Sequence, residues 1–111
     1  MISPALHSML GLCQRAGKLV SGDFAAEQAL RRRKADLLLL AEDASERTRE
    51  KFLKLAEQAS TPCYSAGTRA DLGAAIGKAD RAVVVIQSRD FTKGIIGILQ
   101  REGLTPVSAR G

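Results

Sequence analysis

Apolar positions in this chain follow two rhythms: recurrence every three or four residues, and short runs in which apolar residues stand together. Leu6, Met9, Leu10 and Cys13 keep the first rhythm. Ser3-Pro4 before them offers a serine N-cap with proline at the first helical position, so a helix is predicted from Pro4 to about Ala16, ended by Gly17. Lys18 to Ser21 reads as a short strand and Gly22 to Arg33 as a second helix, with Asp23 in its first turn, where a carboxylate favours the helix dipole. Asp36 to Ala41 contains four consecutive leucines, and a run without polar alternation is a strand covered on both faces.

The same logic carries to the end. Ser45 can cap a third helix whose Phe52, Leu55, Ala56 and Ala59 form one stripe, with Thr61-Pro62 stopping it and Pro62 to Ser65 forming a third strand. Thr68 and Asp71 have capping-box spacing before Leu72, Ala75 and Ile76, and Gly77 closes that short helix. Ala82 to Ile86 is rich in β-branched residues and reads as a strand. Phe91, Ile95, Ile98 and Leu99 mark a last helix, weakened by Gly94 and Gly97. A helix followed by four strand–helix units implies the α/β class, a three-layer α/β/α sandwich. One domain is expected over residues 1–101, with residues 102–111 a loose tail.

With 111 residues, 45% of them hydrophobic and 26% charged, the chain suits one core and no large disordered part. No apolar run approaches the roughly 20 residues that cross a bilayer, and Met1 to Met9 lacks the make-up of a signal peptide, so a cytoplasmic protein with no membrane partner is expected. Cys13 and Cys63 form no CxxC and have only His7 as a soft companion; they are read as buried hydrophobes, with no metal site and no cofactor. The net charge of +5 is uneven. Residues 1–34 carry six Lys/Arg against two acids, residues 35–80 six against eight, and residues 81–111 five against two. Two basic ends brought together would suit a polyanion, while a merely soluble basic protein would also show this balance.

Nothing resembles a nucleophile with its base, and no GxSxG, HExxH or P-loop occurs, so no catalytic residue is assigned. Glu42-Asp43 follows a strand end, where open α/β sheets bind ligands. A phosphoacceptor centre there would need further acids after the first strand, where Ser21-Gly22 stands. The alternative is that both acids, with Ser45, stabilise the start of the third helix. On a helical wheel of the second helix, Ala25, Ala26, Ala29 and Leu30 face the sheet. Phe24, Gln28, Arg31 and Arg32 share the other side, a set suited to RNA: a ring to stack on a base, an amide and guanidiniums for base edges and phosphates. Alternatively, Phe24 folds back on Lys18 to Val20 as a helix-start staple and the arginines are solvated.

The run AGKLVSGDFAAEQALRRRKADLLLLAEDAS, followed by TPCYSAGTRADLGAAIGKADRAVVVI, resembles the kink-turn-binding ribosomal proteins, the L-seven-Ae and L-thirty-e superfamily, nearest its small bacterial YlxQ-type branch. The likeness spans roughly Leu10 to Leu99 and implies an α/β/α sandwich with a small mixed four-stranded sheet. It also implies a non-enzymatic binder of structured RNA such as ribosomal RNA; a monomer is expected, with the ribosome or translation proteins as further partners. The family's G-x-N-E-x-x-K contact falls on Gly22 and on Phe24, Ala25 and Gln28, which replace its Asn, Glu and Lys. Its second contact is placed on Gln87, Ser88 and Arg89, beside the first. Taken with the wheel reading, the RNA-binding set expected is Lys18, Ser21, Gly22, Asp23, Phe24, Gln28, Arg31, Arg32, Lys78, Gln87, Ser88 and Arg89. A protein-interaction adaptor in translation, using Phe24 and the last helix, is the alternative on the same fold.

Overall fold

The computed structural model describes residues 1–109 and runs α1 (Pro4–Arg15), β1 (Leu19–Ser21), α2 (Asp23–Arg31), β2 (Leu37–Leu40), α3 (Glu46–Ala59), β3 (Cys63–Ser65), α4 (Arg69–Ala75), β4 (Val83–Ile86) and α5 (Arg89–Arg101). The sheet order is β1-β4-β2-β3. β2 and β3 are parallel, and β4 runs antiparallel to both β1 and β2, so the sheet is mixed. Ser21 pairs with Val84, and Leu40 with both Val83 and Ser65. The ends of β1, β2 and β3 therefore share one edge with the start of β4, called here the front edge. The start of β1 and the end of β4 lie at the rear edge.

The leucine run lacks polar alternation because both its faces are covered. Leu37 and Leu39 join Val84 and Ile86 under α1, α4 and α5, while Leu38 and Leu40 join Val83 and Val85 under α2 and α3. All four leucines of β2 are fully buried, which gives the three layers. Both cysteines are buried, and His7 is exposed on α1. Among the described residues no helix is long and apolar enough to cross a membrane.

Most helix ends follow their sequence signals. The Ser3 and Ser45 side chains accept from the Leu6 and Thr48 N–H groups, and Thr68 with Asp71 forms a capping box. The Thr68 N–H and the chain's amino group hold the Asp71 carboxyl below its ordinary range. Two ends differ. α3 stops at Ser60, which itself takes the left-handed conformation ahead of Thr61-Pro62. α2 ends at Arg31, two residues before Arg33, because Arg33 adopts φ 57° and the Lys34 N–H closes back on the Ala29 carbonyl at 2.8 Å, a closure that satisfies the orphan carbonyls of a helix end.

Two expectations are corrected by contacts. Asp43 does not serve α3: its carboxylate accepts from the Arg69 N–H at 2.8 Å and pairs with the Arg69 guanidinium, so it fastens the β2–α3 connection to the start of α4. The tail is not loose through its described part. Leu104 packs on the α1/α4/α5 side, and the Val107 N–H donates to the Cys63 carbonyl at 2.8 Å while its side chain packs on the other cluster. β3 is an edge strand with unpaired backbone groups that need cover, and the tail supplies it.

Burial pushes the Cys63 thiol up to about 12, and a thiol kept protonated is unreactive. Removing residues from Thr105 onward is expected to speed thiol labelling of Cys63 several-fold while Cys13, on the buried face of α1, stays protected. Unchanged labelling would show that the tail does not shield that strand.

Candidate nucleic-acid interface

At the front edge, β1 gives way to α2 with no intervening loop. The turn is made at Gly22, whose φ of 90° is a conformation open to glycine, and its N–H donates to the Val83 carbonyl at 3.1 Å. No side chain caps α2, so the N–H groups of its first turn are open at the positive end of the helix. Ala26, Ala29 and Leu30 are buried against the sheet. Phe24 is 80% exposed, which excludes the folded-back staple. Gln28 is half-buried one turn further on, and Arg31 and Arg32 are exposed at the far end.

Beside this junction stands a residue the sequence reading missed. The Arg81 Nε donates to Ser21 Oγ at 3.1 Å, and its Nη1 donates to the carbonyls of Ala79 and Asp80. The guanidinium is thus fixed next to Gly22 by its own turn. That turn depends on Gly73: a Cβ there would collide with the Ala79 carbonyl, and the Gly73 carbonyl accepts from the Lys78 N–H at 2.8 Å. The LGxAIGK piece therefore shapes the turn carrying Lys78 and Arg81. Its nearness to Ser21 arises only from β1–β4 pairing, which no local pattern reveals.

The expected single patch is divided. Gln87, Ser88 and Arg89 follow the end of β4 and lie at the rear edge, not beside Phe24. The Gln87 N–H donates to the Lys18 carbonyl at 2.8 Å, which places Lys18 at the rear too. Ser88 caps α5, its hydroxyl accepting from the Phe91 N–H. Arg31 is engaged by Glu27 at 2.8 Å, and Glu27 also holds Lys51 at 2.7 Å; Lys51 first and Arg31 second keep the Glu27 carboxyl below its ordinary range. Ser21, Gly22, Asp23 and Phe24 are brought together at the front edge, and Lys18, Arg32 and residues 87–89 at the rear. The nine residues of α2 separate the two, about 13 Å at 1.5 Å per residue. The Ser21–Phe24 junction and the turn at residues 78–81 carry two cations, Lys78 and Arg81, and two acids, Asp23 and Asp80. Among the described residues no cluster of His, Cys, Asp or Glu could hold a metal ion.

Comparison with known proteins bears on this geometry. The family model described as "Ribosomal protein L7Ae/L30e/S12e/Gadd45 family" matches residues 4–95. The chain is similar to the RNA-binding protein YlxQ of Bacillus subtilis (strain 168), 37% identical over 91 residues, 82% of this chain and 91% of that protein. It is also similar to the RNA-binding protein YlxQ of Enterococcus faecium, 34% identical over 86 residues, 78% of this chain and 82% of that protein. Among solved structures, a protein with unknown function from Bacillus halodurans superposes with a TM-score of 0.83 at 28% identity, covering 88% of this chain and 99% of that one. The Giardia lamblia 15.5kD RNA binding protein superposes with a TM-score of 0.74 at 19% identity, covering 87% and 83%, a likeness of fold alone.

Replacing Gly73 by alanine is expected to destabilise the protein by about 1–3 kcal/mol, the usual result of forcing atoms into filled space, and to shift the amide resonances of Ser21 and Arg81. A denaturant midpoint and spectrum identical to the parent's would contradict the packed turn.

Proposed function

Since the chain belongs to the ribosomal protein L7Ae/L30e/S12e/Gadd45 family, we propose that it is an RNA-binding protein with no catalytic step of its own, and that it meets RNA at the Ser21–Phe24 junction. The observation that carries this is the exposed ring of Phe24, 80% accessible at an uncapped helix start. A phenyl ring left in water forgoes about 1.5–3 kcal/mol of burial, and a base stacked on it recovers part of that. The open N–H groups and the helix dipole suit a phosphate, and Gly22, without a side chain, lets the RNA backbone come close. Arg81 presents a fixed planar guanidinium, suited to a phosphate or a guanine edge.

Phe24 and Ala25 place no side-chain donor or acceptor against a base edge, and Gln28 carries no charge. Recognition at this junction therefore rests on stacking and main-chain groups, which favours an unstacked base in a loop or bulge of structured RNA. Ribosomal RNA is the class taken here, bound by a monomer in the cytoplasm. The similar YlxQ proteins carry the name RNA-binding protein, which supports RNA over a partner protein as the occupant of the Phe24 face.

In filter binding with a pool of bacterial ribosomal RNA fragments, Phe24→Ala is expected to lower affinity by about 1–3 kcal/mol, a loss of roughly fivefold to over a hundredfold, without changing thermal stability. Phe24→Trp should retain binding and Arg81→Ala should weaken it. If neither alanine variant alters affinity, the junction is not the RNA contact; if only a protein is captured after nuclease treatment, the adaptor reading takes its place.

A further inference from the structure

We propose that the rear edge is a second, phosphate-binding contact for the same RNA, so that α2 lies between an end that reads a base and an end that holds the backbone; this rests on the junction being an RNA contact. Gln87 brings the surface together. Its backbone N–H donates to the Lys18 carbonyl at 2.8 Å and its side-chain Nε2 donates to the Lys34 carbonyl at 3.0 Å. One residue thereby gathers two lysines from separate parts of the chain. The left-handed Arg33 turns the backbone off the end of α2, and Lys18, Arg33 and Lys34 line one shallow hollow with Gly17, Asp36 and Gln87. Arg32, exposed, immediately precedes them.

The charges of this surface lack internal partners. Among the described residues, the ion pairs involve other groups and none reaches Lys18, Arg32, Arg33 or Lys34; the Arg33 guanidinium donates only to the Gln58 carbonyl. Asp36 is the one acid in the hollow. Cations favour the carboxyl end of a helix, which accounts for Arg31 and Arg32. It does not account for Lys18, which comes from the α1–β1 turn, or for Lys34, which is past the helix end. Grouped like charges disfavour one another, and a polyanion relieves that repulsion.

The two edges have different chemistry. The junction offers a ring, main-chain donors and as many acids as cations; the rear offers cations around a hollow that no aromatic residue lines. Contacts to phosphate fix position and supply affinity that ignores sequence, while contacts to bases select. At about 13 Å apart along α2, the two edges engage different nucleotides, so the rear surface meets the backbone run flanking the base held by Phe24.

The test measures affinity and its salt dependence for the full chain on the tightest-binding ribosomal RNA fragment and on progressively shortened forms of it. Each phosphate neutralised contributes about 0.7 to 0.9 to the slope of log affinity against log salt. The triple variant Lys18→Ala, Arg32→Ala and Lys34→Ala should lower the slope by about 2 to 3 on the long fragment, with preference among fragments unchanged and with little effect on the shortest. Arg31→Ala, already paired with Glu27, should change the slope least. Phe24→Ala should do the reverse, altering preference while leaving the slope. If the triple variant keeps the parent slope while Phe24→Ala still loses binding, the rear contact is refuted and the junction stands. If the triple variant loses binding and Phe24→Ala does not, the junction reading falls and the two-ended arrangement with it, the rear surface alone holding the RNA. If neither changes anything, both fall.

Discussion

At one end of the β1–β4 ladder the Gly22 N–H donates to Val83, and at the other the Gln87 N–H donates to Lys18. The antiparallel pairing between these bonds fixes where every candidate RNA contact lies. It carries the α4–β4 turn, with Arg81, to the start of α2, and it carries the β4–α5 connection away to the opposite edge. Were β4 parallel to β1, residues 87–89 would flank Phe24 and Arg81 would not. The direction of one central strand thus decides the composition of the surface.

The core secures the register of that strand. β4 sits between β1 and β2, and its four residues alternate between two fully buried clusters. A one-residue slip would move each side chain to the wrong face. The charged residues contribute little to this choice: the Arg31–Glu27 and Lys51–Glu27 pairs are substantially exposed, and pairs of that kind add modest stability. Core and surface are therefore separable, which leaves the guanidinium and ammonium groups free to serve a ligand.

The surface also divides labour between kinds of interaction. An exposed ring and open N–H groups act over a few ångströms and depend on the shape presented to them. Unpaired cations act through the phosphate charge, which any RNA carries and which salt weakens. Placing the two at opposite ends of a short rigid helix sets their spacing by helix geometry rather than by loop conformation. The small turns around this helix matter for the same reason: Gly73 allows the turn that fixes Arg81, and Gln87 fastens the backbone beneath two lysines.

The sequence alone determined the elements and their layers. Unbroken apolar runs marked the inner strands, three- and four-residue spacing marked the helices, and Ser3, Ser45 and the Thr68–Asp71 pair marked their starts, since each is a local preference acting within a few residues. It placed Phe24 opposite the alanines of α2, but only the structure, with the ring 80% exposed, excluded its folding back on β1. It could not show that Arg81 sits at Ser21, sixty positions away, that Asp43 serves α4 instead of α3, that Val107 covers β3, or that the basic ends of the chain form two surfaces instead of one. Those facts follow from the order and direction of strands, which depend on how all the apolar faces are buried together and leave no signature in any short stretch.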